Sequence, residues 1–290
     1  MPFYTPVDFD YYAPRNVDEA VTLLSEKEDS VIIAGGQTLL TLLKLRILRP
    51  KNVIDLSKVS SLRYIKEENG EIRIGAITVH NEVARSQLIA SRCGLLSAAA
   101  GRIGDEQVRN RGTIGGSVAN ADPSANYEPV LLALDARFTL IGPQGRREVG
   151  AREFFVDAYT TAINKGEVLT EVKVRELSEV GYSFKKAARR EQEFAIVNVA
   201  ALLWLEGDEI KDVRVAVGGV TARPERLDGV EEALIGKGKE AIPSALSSVE
   251  YSGKPISDVR ASSGYREYLS KIYLRRALEE AYARAKGVRS

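Results

Sequence analysis

Between Gly112 and Pro123 the chain reads Gly-Thr-Ile-Gly-Gly-Ser-Val-Ala-Asn-Ala-Asp-Pro: three glycines, two hydroxyls, an amide and a carboxylate in twelve residues. Few of these side chains have bulk to pack, and glycine lets backbone N–H groups come close to a partner. Thr113, Ser117 and Asn120 interleave with Gly115 and Gly116, giving a row of donors suited to diphosphate and ribityl oxygens. The plainer reading is an irregular surface loop. A loop this rich in glycine, and apolar at Ile114 and Val118, is seldom a mere connection. The segment is therefore expected to be an open loop that holds a ligand.

A shorter version lies upstream at Ala34-Gly35-Gly36-Gln37-Thr38. The apolar run Ser30–Ala34 reads as a strand that feeds these glycines, and Thr38–Leu45 reads as the helix that follows. A strand, a glycine turn and a helix N-terminus together aim free N–H groups at an anion. The pattern is not G-x-G-x-x-G, so a Rossmann dinucleotide fold is not signalled. Gly-Gly alone fits an ordinary strand-to-helix turn; with the second segment it suggests one phosphate-bearing cofactor held by both.

Other chemistries lack their parts. Cys93 is the single cysteine and His80 the single histidine, too few for an internal disulfide, an iron–sulfur cluster or a structural zinc site. Any redox metal then belongs to another polypeptide. Neither G-x-S-x-G nor a Walker A lysine motif is present, and His80, alone after Thr78-Val79, reads as a helix-cap or packing residue. A net charge of +1 implies no polyelectrolyte partner. The basic run Lys185–Arg190 is followed by Glu191 and Glu193 and lacks stacking aromatics, so nucleic acid is not expected. It reads as a strand edge with one or two cations aimed at a polarised ring or a phosphate, or as a solvated run. No apolar stretch nears the roughly 20 residues of a membrane span, and no signal peptide is evident. A cytoplasmic protein is expected.

The 290 residues suffice for two or three compact units. Residues 15 to 56 alternate strand and helix as a small β-α-β-α-β unit, with Asn16 as a cap. Around Asn69-Gly70 the segments Arg63–Lys66 and Glu71–Gly75 alternate as a hairpin. Helices are expected over Val79–Arg85, Gln87–Ala90, Leu95–Ile103 and Pro129–Leu134, and strands over Arg137–Ile141, Arg146–Val149 and Val168–Val174. A third unit from about Gly181 has strands over Tyr182–Ala187, Val197–Glu206 and Ile210–Gly218. Its last helix, Ser263–Lys286, shows an apolar stripe at Tyr265, Leu269, Tyr273, Ala277 and Ala281, beside Leu274, Leu278 and Ala285. That stripe suits packing on its own sheet, or a subunit interface.

The residues Ala34–Leu40, Lys44-Leu45-Arg46 with Pro50, Ile74-Gly75-Ala76, Gln107–Gly116 and Ala119–Pro123 resemble the FAD-binding medium subunit of molybdenum hydroxylases. Tyr265-Arg266 and Leu274–Leu278 resemble that family's closing helix, so the likeness runs along nearly the whole chain. Its members include carbon monoxide dehydrogenase, aldehyde and glyceraldehyde oxidoreductases, and the flavin domain of xanthine dehydrogenase. The resemblance implies an α+β protein: a two-subdomain FAD-binding fold of the vanillyl-alcohol-oxidase type, then a C-terminal α+β domain with a three-stranded antiparallel sheet. The units would span 1–57, 58–176 and 177–290. Ile33, Ala34, Gly35, Gly36, Gln37, Thr38 and Leu39 would wrap FAD together with Thr113, Ile114, Gly115, Gly116 and Ser117. Ile103, Gly112, Ala119 and Asn126 would line the same groove, with Leu169 near the isoalloxazine and Lys186 matching a flavin-contacting lysine.

The same resemblance implies partners: a large subunit with the molybdenum cofactor and a small one with 2Fe-2S clusters, as a dimer of heterotrimers. The chain would relay electrons from those clusters through FAD to an external acceptor. Gln37 stands where relatives often have His, Ser117 and Asn126 where many have Asn and Asp, and Phe194 where Tyr is frequent. The cysteine-bearing insertion of the 4-hydroxybenzoyl-CoA reductase branch is absent. Two other readings are a stand-alone flavin reductase resembling UDP-N-acetylenolpyruvoylglucosamine reductase and a flavin-free subunit that bridges partners.

Overall fold

A computed structural model describes residues 8–287. Its first unit comprises β1 (Asp10–Tyr12), α1 (Val17–Glu26), β2 (Ser30–Ile33), α2 (Leu39–Lys44) and β3 (Asn52–Asp55), with a parallel sheet in the order β1-β3-β2. Asn16 starts α1 as its residue type predicts, its Oδ1 accepting the Glu19 N–H at 2.8 Å. The β-α-β-α-β order is as expected, but the residues of β1 are not placed by the sequence: three residues at a sheet edge, with only Tyr12 turned partly inward, carry no readable alternation.

The hairpin β4 (Ile65–Glu68) and β5 (Glu71–Gly75) turns on Asn69 and Gly70, whose φ of 55° and 73° are what a tight two-residue hairpin needs. Six helices follow: α3 (His80–Arg85), α4 (Gln87–Arg92), α5 (Gly94–Ala100), α6 (Glu106–Arg109), α7 (Ile114–Asn120) and α8 (Tyr127–Ala133). Then come β6 (Arg137–Gly142), β7 (Gly145–Gly150), α9 (Ala151–Phe154), β8 (Phe155–Asp157), β9 (Thr160–Thr161) and β10 (Val168–Arg175). Strand β10 closes the central position of a five-stranded antiparallel sheet, β4-β5-β10-β6-β7. Being central, it buries even Glu171, whose carboxylate accepts bonds from Tyr64 Oη at 2.6 Å and Arg73 Nε at 2.7 Å.

The third unit holds β11 (Gly181–Ala187), β12 (Val197–Glu206), β13 (Glu209–Gly218), β14 (Glu225–Arg226), α10 (Asp228–Leu234), α11 (Ile242–Ala245) and α12 (Ser263–Ala285). The expected three-stranded sheet gains β14 as a fourth strand, paired to β13 through Ala216 and Val217. Two residues are too few to show a strand pattern. One face of the sheet, with Val199, Ala201, Val215 and Val217, packs on Leu274, Ala277, Leu278 and Ala281 of α12. The opposite face sends Phe184, Ala200, Leu202 and Ala216 into the core beneath the five-stranded sheet. The stripe of α12 thus covers its own sheet, as the first of the two readings has it. Its phase is shifted at the N-terminal end: Arg266 and Ser270 are buried there while Tyr265 is half exposed. No helix of the described residues is long and apolar enough to cross a membrane.

Candidate functional site

Where the first unit, α7 and β11 meet, a cleft of about 550 Å³ opens. That is within the size range of sites for sizeable organic ligands. It gathers Ala34, Gly35, Gly36, Gln37, Thr38 and Leu39 from one side and Gly112, Thr113, Gly115, Gly116, Ser117 and Ala119 from another. Ile103, Asn126, Leu169 and Lys186 complete its walls.

Two of the sequence-derived residues are not in it. Ile33 belongs to a strand in which alternate side chains face opposite ways, so Ile32 and Ala34 turn to the cleft and Ile33 away. Ile114 is fully buried in the hydrophobic core, and its N–H donates to the Thr78 carbonyl at 3.0 Å. Both carry the helix and strand that build the cleft without lining it.

The first glycine turn behaves as an anion cradle. Among the described residues, none of the backbone N–H groups from Gly35 to Leu39 donates to a backbone or side-chain acceptor. Such orphan donors at a helix start are satisfied by water or by a ligand. Gly36 sits at φ 77°, in the left-handed region that favours glycine. A Cβ on Gly35 would lie 2.1 Å from the Arg111 carbonyl oxygen and 2.7 Å from Gly112 Cα. The two glycine segments therefore touch, backbone against backbone.

The second segment differs from the open loop expected. Residues 114–120 form α7, capped by Thr113, whose Oγ1 accepts the Gly116 N–H at 3.1 Å. Gly115 donates to the Ala76 carbonyl at 2.9 Å, and residues 112–114 pair with 78–80 around the bridge Val79–Thr113. Most of the N–H groups read as free donors are thus spent within the protein. The glycines here serve close packing: a Cβ on Gly115 would lie 2.6 Å from the Ala76 carbonyl oxygen. What the segment offers a ligand is a smooth wall with the polar side chains of Ser117 and Asn120.

At the other end the walls are polar but partly committed. Asn126 Nδ2 donates to the Ala99 carbonyl at 3.1 Å, and Asp122 accepts the Ser124 N–H at 2.9 Å and Tyr159 Oη at 3.2 Å. Lys186 Nζ donates to the carbonyls of Arg102 at 3.1 Å and Glu191 at 3.3 Å. Burial, and then the nearby Arg102 charge, lower the Lys186 ammonium to about 8, against which Glu191 works. Its neighbour Lys185 points the other way and pairs with Glu280 of α12, so one cation of the basic run faces the cleft, as the strand-edge reading requires. Phe194 overhangs the cleft half exposed, with the Arg260 guanidinium 5.6 Å from its ring centre.

Sequence reasoning missed Asp122 as a residue lining the cleft, although it stands in a segment singled out for its glycines; Phe194, marked as a departure from the family's Tyr near the flavin, does line it. Sequence reasoning also set aside His80, which lines the cleft beside Gly112. The only signal for His80 would have been the pairing of residues 78–80 with 112–114, and a single bridge of that kind has no sequence pattern.

Comparison with known proteins matches residues 7–175 to the family model "FAD binding domain in molybdopterin dehydrogenase". Residues 182–281 match "CO dehydrogenase flavoprotein C-terminal domain". The chain is 36% identical to the carbon monoxide dehydrogenase medium chain of Hydrogenophaga pseudoflava, over 96% of this chain and 99% of that one. It is likewise 36% identical to the glyceraldehyde dehydrogenase medium chain of Sulfolobus acidocaldarius, over 95% and 99%. Among solved structures, carbon monoxide dehydrogenase from H. pseudoflava superposes with a TM-score of 0.94 at 36% identity, covering 97% of this chain and 99% of that one. Quinoline 2-oxidoreductase from Pseudomonas putida does so with a TM-score of 0.93 at 31% identity, covering 97% and 99%. An orphan-donor cradle facing a smooth glycine wall, on a chain related end to end to these proteins, makes this an oxidoreductase subunit of the FAD-binding medium-chain family of molybdenum hydroxylases.

Proposed function

We propose that this chain holds FAD in the cleft and relays electrons from iron–sulfur clusters of a partner subunit to an external acceptor. The observation that carries the reading is the run of unspent N–H groups from Gly35 to Leu39, which matches the need of a diphosphate for several backbone donors. FAD supplies, when bound, an acceptor that takes electrons singly and releases them in pairs. The chain's own residues bind and orient it. The Gly35–Leu39 donors and Gln37 and Thr38 hold the phosphates; Gly112, Thr113, Gly115, Gly116, Ser117 and Ala119 form the opposite wall. Ile103, Leu169 and Asn126 bound the groove, and Lys186 presents a cation whose charge is already weakened by burial. No residue need act as an acid or base.

The chain's relatives include chains named as medium chains of carbon monoxide and glyceraldehyde dehydrogenases, which supports the rest of the reading: partners in the form of a large subunit bearing the molybdenum cofactor and a small one bearing 2Fe-2S clusters, in a dimer of heterotrimers in the cytoplasm. The units 1–57, 58–176 and 177–290 are proposed as the two FAD subdomains and the C-terminal domain. Supporting this division, the described residues form three separate main sheets, with the cleft lined from all three units.

The test is direct. The purified protein should be yellow, with a visible spectrum that bleaches under dithionite and a flavin released on denaturation. A colourless protein that cannot be reconstituted with FAD would sink the reading and favour a bridging subunit. Purification from its native source without molybdenum or iron–sulfur chains would instead point to a stand-alone flavin reductase.

A further inference from the structure

His80 opens α3 with its backbone N–H bonded to the Gly112 carbonyl at 2.9 Å and its ring buried. Its Nδ1 lies 3.2 Å from Tyr127 Oη, with the two rings tilted at 53°. Tyr127 is fully buried, and among the described residues its hydroxyl has no other partner. A buried hydroxyl proton without an acceptor costs the full desolvation of that group, so the Tyr127 O–H donates and His80 Nδ1 accepts. In a neutral imidazole the remaining proton must then be on Nε2.

The ring is neutral: burial, and then the Arg109 guanidinium, lower its pKa to about 4. Among the described residues Nε2 has no hydrogen-bond partner, and it belongs to a side chain that lines the cleft. A Cβ on Gly112 would fall 2.7 Å from it, and Gly112 is the residue that touches Gly35. The Nε2–H group therefore stands where the two glycine segments meet, beside the phosphate cradle.

We propose that His80 is a neutral hydrogen-bond donor to the diphosphate–ribityl chain of FAD, and that Tyr127 is the positioning residue that fixes its Nε2–H tautomer. The proposal rests on the FAD reading above and deepens it. A neutral donor suits this place because its hydrogen bond does not titrate across the physiological range, unlike one from an imidazolium of ordinary pKa.

His80 is the single histidine of the chain, so 15N-histidine labelling of the full-length protein gives one imidazole spectrum. At pH 7 it should show a pyrrole-like Nε2 and a pyridine-like Nδ1, and the Nε2 signal should move when FAD is added. Tyr127→Phe should let the other tautomer appear and weaken FAD binding by about five- to tenfold, the scale of one neutral hydrogen bond. His80→Leu should weaken it at least as much, while His80→Gln, which keeps an N–H donor, should recover part of the loss. An Nδ1–H tautomer in the free protein overturns the proposal. So does an unmoved His80 signal in a protein whose visible spectrum shows FAD bound, and that outcome leaves the FAD reading standing. Protein that stays colourless with FAD in excess removes both.

Discussion

Gly35, which lines the cleft, and Glu128, which is buried in α8, are constrained in different ways. At Gly35 the constraint is contact between two stretches of backbone: a methyl group would lie 2.1 Å from the Arg111 carbonyl oxygen. That oxygen cannot rotate away as a side chain could. Gly35→Ala should therefore push the two glycine segments apart and weaken FAD retention by about tenfold or more, a loss of about 1.4 kcal/mol per decade. The flavin-to-protein absorbance ratio reads this, and a far-ultraviolet spectrum like that of the parent separates it from unfolding. At Glu128 the constraint is electrostatic. Both carboxylate oxygens are fully buried and, among the described residues, find no partner in another residue; burial, opposed by the residue's own backbone N–H and reinforced by the Asp122 charge, raises its pKa well above the usual carboxylate range. A carboxyl whose folded pKa exceeds its unfolded value contributes fully only below the unfolded pKa. That contribution is lost as pH rises toward the folded one. Glu128→Met keeps the bulk and removes the unpaired group, so it should stabilise the protein at neutral pH by about 1–3 kcal/mol and flatten the fall in stability above about pH 4.5. Urea titrations at several pH values measure both. Destabilisation by Glu128→Met would mean that the carboxyl has a partner in solution. Nothing in the composition singles out Glu128, because its burial depends on α8 lying under the third sheet.

At the scale of single elements, α7 and the start of α12 depend on one polar side chain each. Thr113 caps α7, whose seven residues include two glycines and cannot hold a helix by propensity alone. Thr113→Ala should cost about 1 kcal/mol in thermal or denaturant unfolding, and Thr113→Ser should restore most of it. The N-terminal turn of α12 is anchored by Arg266, fully buried, with Nη1 donating to the carbonyls of Ile196 and Gly219 and Nη2 to Asp258, each at 2.5 Å. Arg266→Ala would leave the Ile196 and Gly219 carbonyls without this donor and open a cavity, while Asp258 keeps its bonds from Arg260 and Ala261; it should cost about 2–5 kcal/mol by the same measurement. These elements also mark how far the sequence was legible. Long segments such as α12 and the β12–β13 hairpin are readable to within a few residues, because α12 repeats its apolar residues at a helical period, β12 is a long apolar run buried on both faces, and β13 ends in a shorter one. Helix α7 reads as a loop because its glycines weigh against a helix, and what overrides them is a Thr cap plus a bridge to residues 78–80, over thirty residues away. The same limit explains the site. The cradle at Gly35 and the wall at Gly112 were visible as glycine-dense strings. The inward turn of Arg266, and with it the displaced stripe at Tyr265, follows from carbonyls contributed by distant strands.

For the molecule as a whole, the cleft is a joint as well as a site. Its walls come from the first unit, from α7 beneath the five-stranded sheet, and from β11 of the third unit. Lys186 already ties the third unit to the carbonyl of Arg102, and the shared core adds Phe184, Ala200, Leu202 and Ala216 from the third sheet. A ligand that bridges these walls binds only when all of them are in place, so it should stabilise the native state as one body by mass action. At a free FAD concentration about a hundred times the dissociation constant the gain is about 2.7 kcal/mol. For a chain of 290 residues that is a rise of roughly 4–5 °C in Tm. Calorimetry of the FAD-free protein should show a lower or broader transition, and added FAD should raise and sharpen it. Adenosine diphosphate, which fills only the cradle end, should give a smaller shift and leave the third unit's contribution unchanged. An equal shift with both ligands would mean that the cleft's two ends are not coupled, and that β11 stands beside the flavin without helping to hold it.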